Sequence, residues 1–184
     1  VHQNENELIA ACLKGDRRAQ ITLYDRYYTA MYNSALRILK DSQIAEDVMQ
    51  ESFLNAFLHL KRFSGQVPFG AWLKKIVINN SLYQYRKNKK VAFADLSDEL
   101  ENVADYEPTK DNDLYVKSKA GQILKALNGL KENYRLGLTL HLIEGYDHEE
   151  ICEITGWSYA NCRTTISRAK AQLRNRVTAI ENHE

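Results

Sequence analysis

Proline and glycine are scarce, two and eight in 184 residues, so little in the chain breaks a helix or forces a hairpin. No apolar run approaches the ~18 residues a membrane span needs, and no charged-then-apolar leader opens the chain. Membrane insertion is not expected, and the cytoplasm is the simplest location. Cysteine is sparse too. Cys12, Cys152 and Cys162 are odd in number and none stands in a CxxC pair, so neither a disulfide framework nor a zinc site follows from them. The neighbouring His and acid residues are His141 with Glu144, and His148 with Glu149 and Glu150. A metal hydrolase of the HExxH kind needs a second histidine one turn on, and Cys152 holds that place. No enzyme, cofactor or metal is expected.

Acid is also lacking, but only locally. The net charge of +1 hides a division along the chain. From 74 to 90 the charged residues are Lys74, Lys75, Arg86, Lys87, Lys89 and Lys90, with no acid. From 95 to 113 the sign reverses: Asp95, Asp98, Glu99, Glu101, Asp105, Glu107, Asp111 and Asp113 face only Lys110. From 157 to 180 acid is missing again beside Arg163, Arg168, Lys170, Arg174 and Arg176. Each basic block follows an apolar helical pattern. Two such blocks separated by acid suggest two surfaces for a polyanion, joined by a segment that avoids it.

What is present reads as helix. Apolar residues recur at three- and four-residue steps. Leu8, Ile9, Cys12 and Leu13 mark a short helix stopped by Gly15. Asp16 caps a long second helix carrying Leu23, Tyr27, Met31, Ala35 and Leu39. Asp41 or Ser42 opens a third, with Ala45, Val48, Met49, Phe53, Ala56, Phe57 and Leu60 inward, ending near Phe63. Ser64-Gly65-Gln66-Val67-Pro68 is a loop. A fourth helix carries Phe69, Trp72, Leu73, Ile76 and Val77 and runs out into the basic block at Arg86. Residues 91–113 are acidic, poorly periodic and contain Pro108, as a flexible linker would. Beyond them come a helix at about 114–127, a break at Asn128-Gly129, a helix at about 132–143, and two closing helices. The fold class is all-α: two small helical domains on a flexible acidic tether, 1–90 and 114–184.

The last two helices carry the sharpest local signal. Asp147-His148-Glu149-Glu150 has the form of a capping box, Ile151 and Ile154 point inward, and Gly156 suits a tight left-handed turn. Ser158 caps the following helix, in which Cys162, Ile166, Ala169, Leu173 and Val177 form one apolar stripe. Cys152, four residues before the glycine, fits a close crossing as a small hydrophobe, and Cys162 packs back across it. The start of the second helix is then left for the major groove, where N-terminal residues reach base edges. This is a helix-turn-helix.

With these residues in view, the chain resembles the extracytoplasmic-function class of bacterial sigma factors of the sigma-70 family, over nearly its whole length. Leu8-Ile9-Ala10-Ala11-Cys12-Leu13-Lys14-Gly15-Asp16 and Leu23-Tyr24-Asp25-Arg26-Tyr27-Tyr28 look like the opening of the first conserved domain. Ala45-Glu46-Asp47-Val48-Met49-Gln50-Glu51-Ser52-Phe53 is similar to the stretch that grips the polymerase clamp. Phe69-Gly70-Ala71-Trp72-Leu73, with Asn79 and Arg86, looks like the strand-opening helix. Glu149-Glu150-Ile151-Cys152, Gly156 and Ser167-Arg168-Ala169-Lys170-Ala171-Gln172-Leu173-Arg174 resemble the second conserved domain. Asn161-Cys162-Arg163-Thr164 looks like a variant found in Bacteroidetes members. Members often carry Asp where this chain has Tyr83, and an aliphatic where it has Cys162.

The resemblance implies a division of labour. The first domain would bind core polymerase, at its beta-prime clamp, through Asp47, Gln50, Glu51, Phe53 and Leu54. It would recognise and melt the minus-ten element through Phe63, Ser64, Gly65, Phe69, Lys74, Lys75, Asn79, Tyr83 and Arg86. The second domain, beside the beta flap, would read the minus-thirty-five duplex through Ser158, Tyr159, Asn161, Arg163, Thr164, Ser167, Arg168 and Lys170. An anti-sigma factor would regulate it. The residues agree chemically. Asp47, Gln50 and Glu51 fall within about one and a half turns, so they share a face of acceptors. Trp72, Tyr83 and Tyr85 interleave with Lys74, Lys75, Arg86 and Lys87, the mix that single strands require; Trp72 itself also suits the core. The loop 63–69 has room to cradle one flipped base, or serves only to connect two helices. A stand-alone helix-turn-helix regulator is the alternative, and it would leave the clamp-like stretch and the aromatic-basic helix unexplained.

Overall fold

A computed structural model describes residues 4–95 and 119–181, and every regular element among them is helical. The chain divides into two compact units, Val1–Asp98 and Glu99–Glu184. In the first, α1 spans Glu5–Leu13, α2 Arg17–Leu39, α3 Ser42–Leu58 and α4 Phe69–Asp95, with a 3-10 turn at Leu60–Arg62 between the last two. In the second, α5 spans Lys119–Asn128 and α6 Glu132–Leu138; a π-helical turn, Thr139–Ile143, leads to α7 at His148–Thr155 and α8 at Tyr159–Glu181.

Caps set the starts of the helices in the first unit. The Asp16 carboxylate accepts from the amides of Arg18, at 2.8 Å, and Ala19, at 3.3 Å. Asp41 accepts from Ile44 N–H at 2.9 Å. Each meets one or two of the amides that a helix leaves without intrahelical partners. Helices α2, α3 and α4 pack on one another with α1 against α2, around Leu23, Met31, Ala35, Met49, Phe53, Phe69, Leu73 and Val77. Small polar residues allow α3 and α4 to approach. Buried Ser52 donates to Val48 O at 2.6 Å and accepts from Asn80 Nδ2 at 2.9 Å, so the polar atoms are satisfied inside the core.

One expectation needs correction here. Residues 91–95, expected in the linker, are helical, because α4 continues through them; Val91-Ala92-Phe93-Ala94 contains no helix breaker. The remaining acidic segment, 96–113, and the start expected for the next helix at 114 lie outside the described residues.

In the second unit the core is Leu127, Leu130, Leu136, Leu138, Leu140, Ile151, Cys162, Ile166 and Ala169, all buried. The expected 132–143 helix is there in two forms, since its last turn widens to π geometry, with Glu144 N–H bonded to Thr139 O at 3.0 Å.

Candidate polymerase and nucleic-acid interfaces

In the second unit the turn between α7 and α8 is built from local hydrogen bonds. Asp147 accepts from Glu150 N–H at 2.8 Å while Glu150 accepts from Asp147 N–H at 3.0 Å, closing the capping box. Gly156 ends α7 with φ at +76°, a conformation that a Cβ would strain, and its amide reaches Cys152 O at 2.9 Å. Thr155 Oγ1 accepts from Trp157 N–H at 3.2 Å, and Ser158 Oγ accepts from Asn161 N–H at 3.3 Å to start α8. Trp157 lies against Gly137 of α6, where an added Cβ would stand 3.4 Å from the indole. Cys162 is fully buried with its thiol 3.7 Å from His148 O, which ties α8 to the start of α7. Burial pushes this thiol up to about 11, with the neighbouring Cys152 adding to the effect. It is a packing group rather than a nucleophile.

The consequence is an α8 whose inner stripe is fixed and whose outer face is presented. Ser158, Tyr159, Asn161, Arg163, Thr164, Ser167 and Arg168 are all exposed, and Lys170 is half-buried. Arg163 and Ser167, like Thr164 and Arg168, stand one turn apart, so the four share a surface. Asn161 Oδ1 is engaged by the Thr165 hydroxyl at 3.2 Å, which orients its amide along the helix.

In the first unit two further faces emerge. On α3, Asp47, Gln50, Glu51 and Leu54 are exposed along one stripe, and the exposure of Leu54 reaches 65%. Leu58, one turn further on and 76% exposed, extends it. The sequence reading missed Leu58, although its four-residue spacing from Leu54 was the available signal. Phe53 does not join this face. It is buried, with its ring 4.7 Å from Tyr24 and 6.1 Å from Phe57, so it supports α3 from inside and is corrected from contact residue to core.

On α4, Lys75, Asn79, Tyr83 and Arg86 are exposed at steps of three and four residues, with Lys74 half-buried. Tyr83 is the outstanding ring, 66% exposed. Trp72 is half-buried against Phe63 and Phe69 at 5.4 and 5.7 Å between ring centroids, in the core position the sequence favoured for it. Phe69 has no exposure and is likewise corrected from a DNA contact to an anchor. Ser64 and Gly65 are exposed in the loop, while Phe63 is half-buried beneath it.

A polar, basic helix face on a helix-turn-helix in one unit, and an acidic-apolar face and an aromatic-basic face in the other, have the chemistry expected of a DNA-binding protein with a protein partner. Sequence comparison makes that class specific. Residues 23–91 match the family model for Sigma-70 region 2, and residues 120–173 the model for Sigma-70, region 4. The RNA polymerase sigma factor YlaC of Bacillus subtilis is 29% identical over 164 residues, 88% of this chain and 94% of that protein. The ECF RNA polymerase sigma-E factor of Haemophilus influenzae is 25% identical over 184 residues, 96% of each. In fold, the chain is similar to the sigma factor RpoE of Bartonella quintana, solved with the anti-sigma factor NepR, at a TM-score of 0.55 and 24% identity, covering 85% of this chain and 95% of that one.

The chain belongs to the sigma-70 family, as a sigma factor of the extracytoplasmic-function class. Its partners are therefore RNA polymerase core and promoter DNA; it directs transcription initiation and is not an enzyme. A stand-alone regulator would have no use for a region 2 domain. Among the described residues, no helix is long and apolar enough to cross a membrane.

Proposed function

We propose that the three exposed faces divide the work of initiation. The α3 stripe of Asp47, Gln50, Glu51, Leu54 and Leu58 docks on the beta-prime clamp of core polymerase. The loop with Ser64 and Gly65, together with Lys74, Lys75, Asn79, Tyr83 and Arg86, takes up the melted minus-ten strand. Ser158, Tyr159, Asn161, Arg163, Thr164, Ser167, Arg168 and Lys170 read the minus-thirty-five duplex, with the second unit held near the beta flap. The observation that carries this reading is the difference in chemistry between α3 and α4 within one unit. Exposed leucines beside acids suit a protein groove with basic edges, while an exposed tyrosine among lysine and arginine suits stacked bases and phosphates. This activity would take place in the cytoplasm, where core polymerase is. A separate anti-sigma factor, such as the one solved with the Bartonella protein, would silence it by covering the α3 stripe.

Reconstituted transcription with core polymerase on a randomised promoter library tests the assignment. Replacing Gln50 and Glu51 with alanine should lower output on every promoter equally. Replacing Arg163 should instead change which minus-thirty-five sequences are selected. Equal losses for both, with no shift in selected sequence, would refute the division.

A further inference from the structure

The loop proposed to receive a minus-ten base is held by its ends. Phe63 and Phe69 meet edge-to-face at 5.7 Å, both pack on Trp72, and Phe69 lies 5.6 Å from Tyr27 of α2. Between them, residues 64–68 are exposed. The point where the chain re-enters helix has an unusual start. Pro68 occupies the capping position, its carbonyl accepting from Ala71 and Trp72 N–H at 3.0 and 3.2 Å, but a proline has no side-chain oxygen with which to cap. The first-turn amide of Phe69 is met instead from another helix. Glu5 Oε1 on α1 accepts it at 3.4 Å, although the two residues are 64 apart in sequence. The other carboxylate oxygen, Oε2, accepts the hydroxyl of Tyr27. Tyr27 is in turn pressed on Gly70, where an added Cβ would stand 2.6 Å from the ring. A carboxylate at this end of α4 also complements the partial positive charge of the helix.

We propose that Glu5 is a positioning residue for minus-ten recognition: by capping α4 from α1 and gripping Tyr27, it sets the exit of the 64–68 loop and so the site that receives the base. This rests on the reading of that loop given above. Glu5 touches no DNA in this account. It works through Phe69 and Tyr27, and removing it would let the loop's C-terminal end shift while the α3 face stays in place.

The test uses holoenzyme assembled from the full chain and core polymerase. Glu5→Ala, Glu5→Gln, Tyr27→Phe and the loop variant Ser64→Ala/Gln66→Ala are compared. Three quantities are read: competition for core, rate of opening of a promoter carrying 2-aminopurine in the minus-ten element, and preference among the four bases at each minus-ten position. Glu5→Ala should slow opening and flatten base preference by about tenfold, the scale of one lost helix cap, with core affinity unchanged. Glu5→Gln, which keeps both oxygen-sized positions and one acceptor, should restore part of that loss. Tyr27→Phe should reproduce the direction with only a hydroxyl removed, and stands in if Glu5→Ala does not fold. Unchanged base preference in Glu5→Ala and Tyr27→Phe, with preference lost in the loop variant, would overturn the positioning role and leave the loop reading intact. Unchanged preference in the loop variant would overturn the loop reading, and the role of Glu5 with it. Parallel loss of core affinity and base preference in Glu5→Ala would mark a merely structural residue and also overturn the proposal.

Discussion

The two units solve the problem of presenting a helix in different ways. In the first, a broad aromatic core of Tyr24, Tyr27, Phe53, Phe63, Phe69 and Trp72 fixes two long helices, and each shows a different face outside. In the second, three short helices and local devices, namely the Asp147–Glu150 box, Gly156 and the Ser158 cap, hold one long helix, α8, whose outer face is shown. The exposed faces differ accordingly. Leu54 and Leu58 on α3 are more than half exposed, whereas the outer face of α8 is mostly polar and basic. An apolar stripe is suited to a protein partner and a basic helix to a duplex. On the proposed reading the α3 face meets polymerase and the α8 face the minus-thirty-five duplex.

Substitutions on the protein-binding side should cost the most. Leu54→Asp with Leu58→Asp should weaken core binding by about 2–4 kcal/mol if these are central contacts of the interface, measured by competition with a labelled sigma factor. Because both side chains are exposed, the thermal midpoint of the free protein should barely move. On the DNA side, Arg163→Ala or Arg168→Ala should cost about 1–3 kcal/mol of promoter discrimination. Core affinity should stay at the parental value. A parental promoter profile in both variants would show that α8 is not the reader.

A core substitution should then show that the units are separate in stability. Gly70→Ala forces a Cβ to 2.6 Å from the Tyr27 ring and should destabilise the first unit by about 1–3 kcal/mol. Amide exchange should speed up in α1, α2 and α4 and stay unchanged in α7 and α8. Exchange that accelerates equally in both units would mean they unfold together.

The smallest effects lie at high pH, and they separate the units again. Burial and the Glu5 contacts push Tyr27 up to about 12 from 10.0, and burial with Cys152 pushes Cys162 up to about 11 from 9.0. Each group is neutral when protonated, so a raised folded value favours the folded state below the unfolded pKa. That contribution is lost as pH rises through the folded one. The second unit should thus lose stability between about pH 9 and 11, and Cys162→Ala should flatten that loss. The corresponding decline from Tyr27 in the first unit should run between about pH 10 and 12 and be flattened by Tyr27→Phe. Denaturant unfolding followed at each pH checks both slopes.

Most of the architecture was legible in the sequence because helix caps and apolar periods are local. Asp16, Asp41, Asp147 and Gly156 announce where helices start and stop, and the stripe from Cys162 to Ala169 announces which side of α8 is buried. What was not legible depends on contacts far apart in sequence. Phe53 and Phe69 fit the apolar period yet sit inside motifs that look like contact surfaces, and the packing of Tyr24 and Tyr27 from α2 decides that they are internal. The cap that Glu5 lends to Phe69 crosses most of the first unit's sequence, and no periodicity reports it. The π turn at Thr139–Ile143 escapes for a related reason, since one extra residue in a helical turn leaves the apolar pattern nearly intact.

If the three faces divide the work as proposed, α8 reads DNA effectively only in company with the first unit and polymerase. Footprinting of one promoter fragment by the free chain and by the reconstituted holoenzyme, at matched concentration and salt, tests it most directly. Protection of the minus-thirty-five element and opening of the minus-ten element are expected from the holoenzyme, with neither from the free chain. Equal minus-thirty-five protection by the free chain would contradict it, because the second unit would then be a self-sufficient reader.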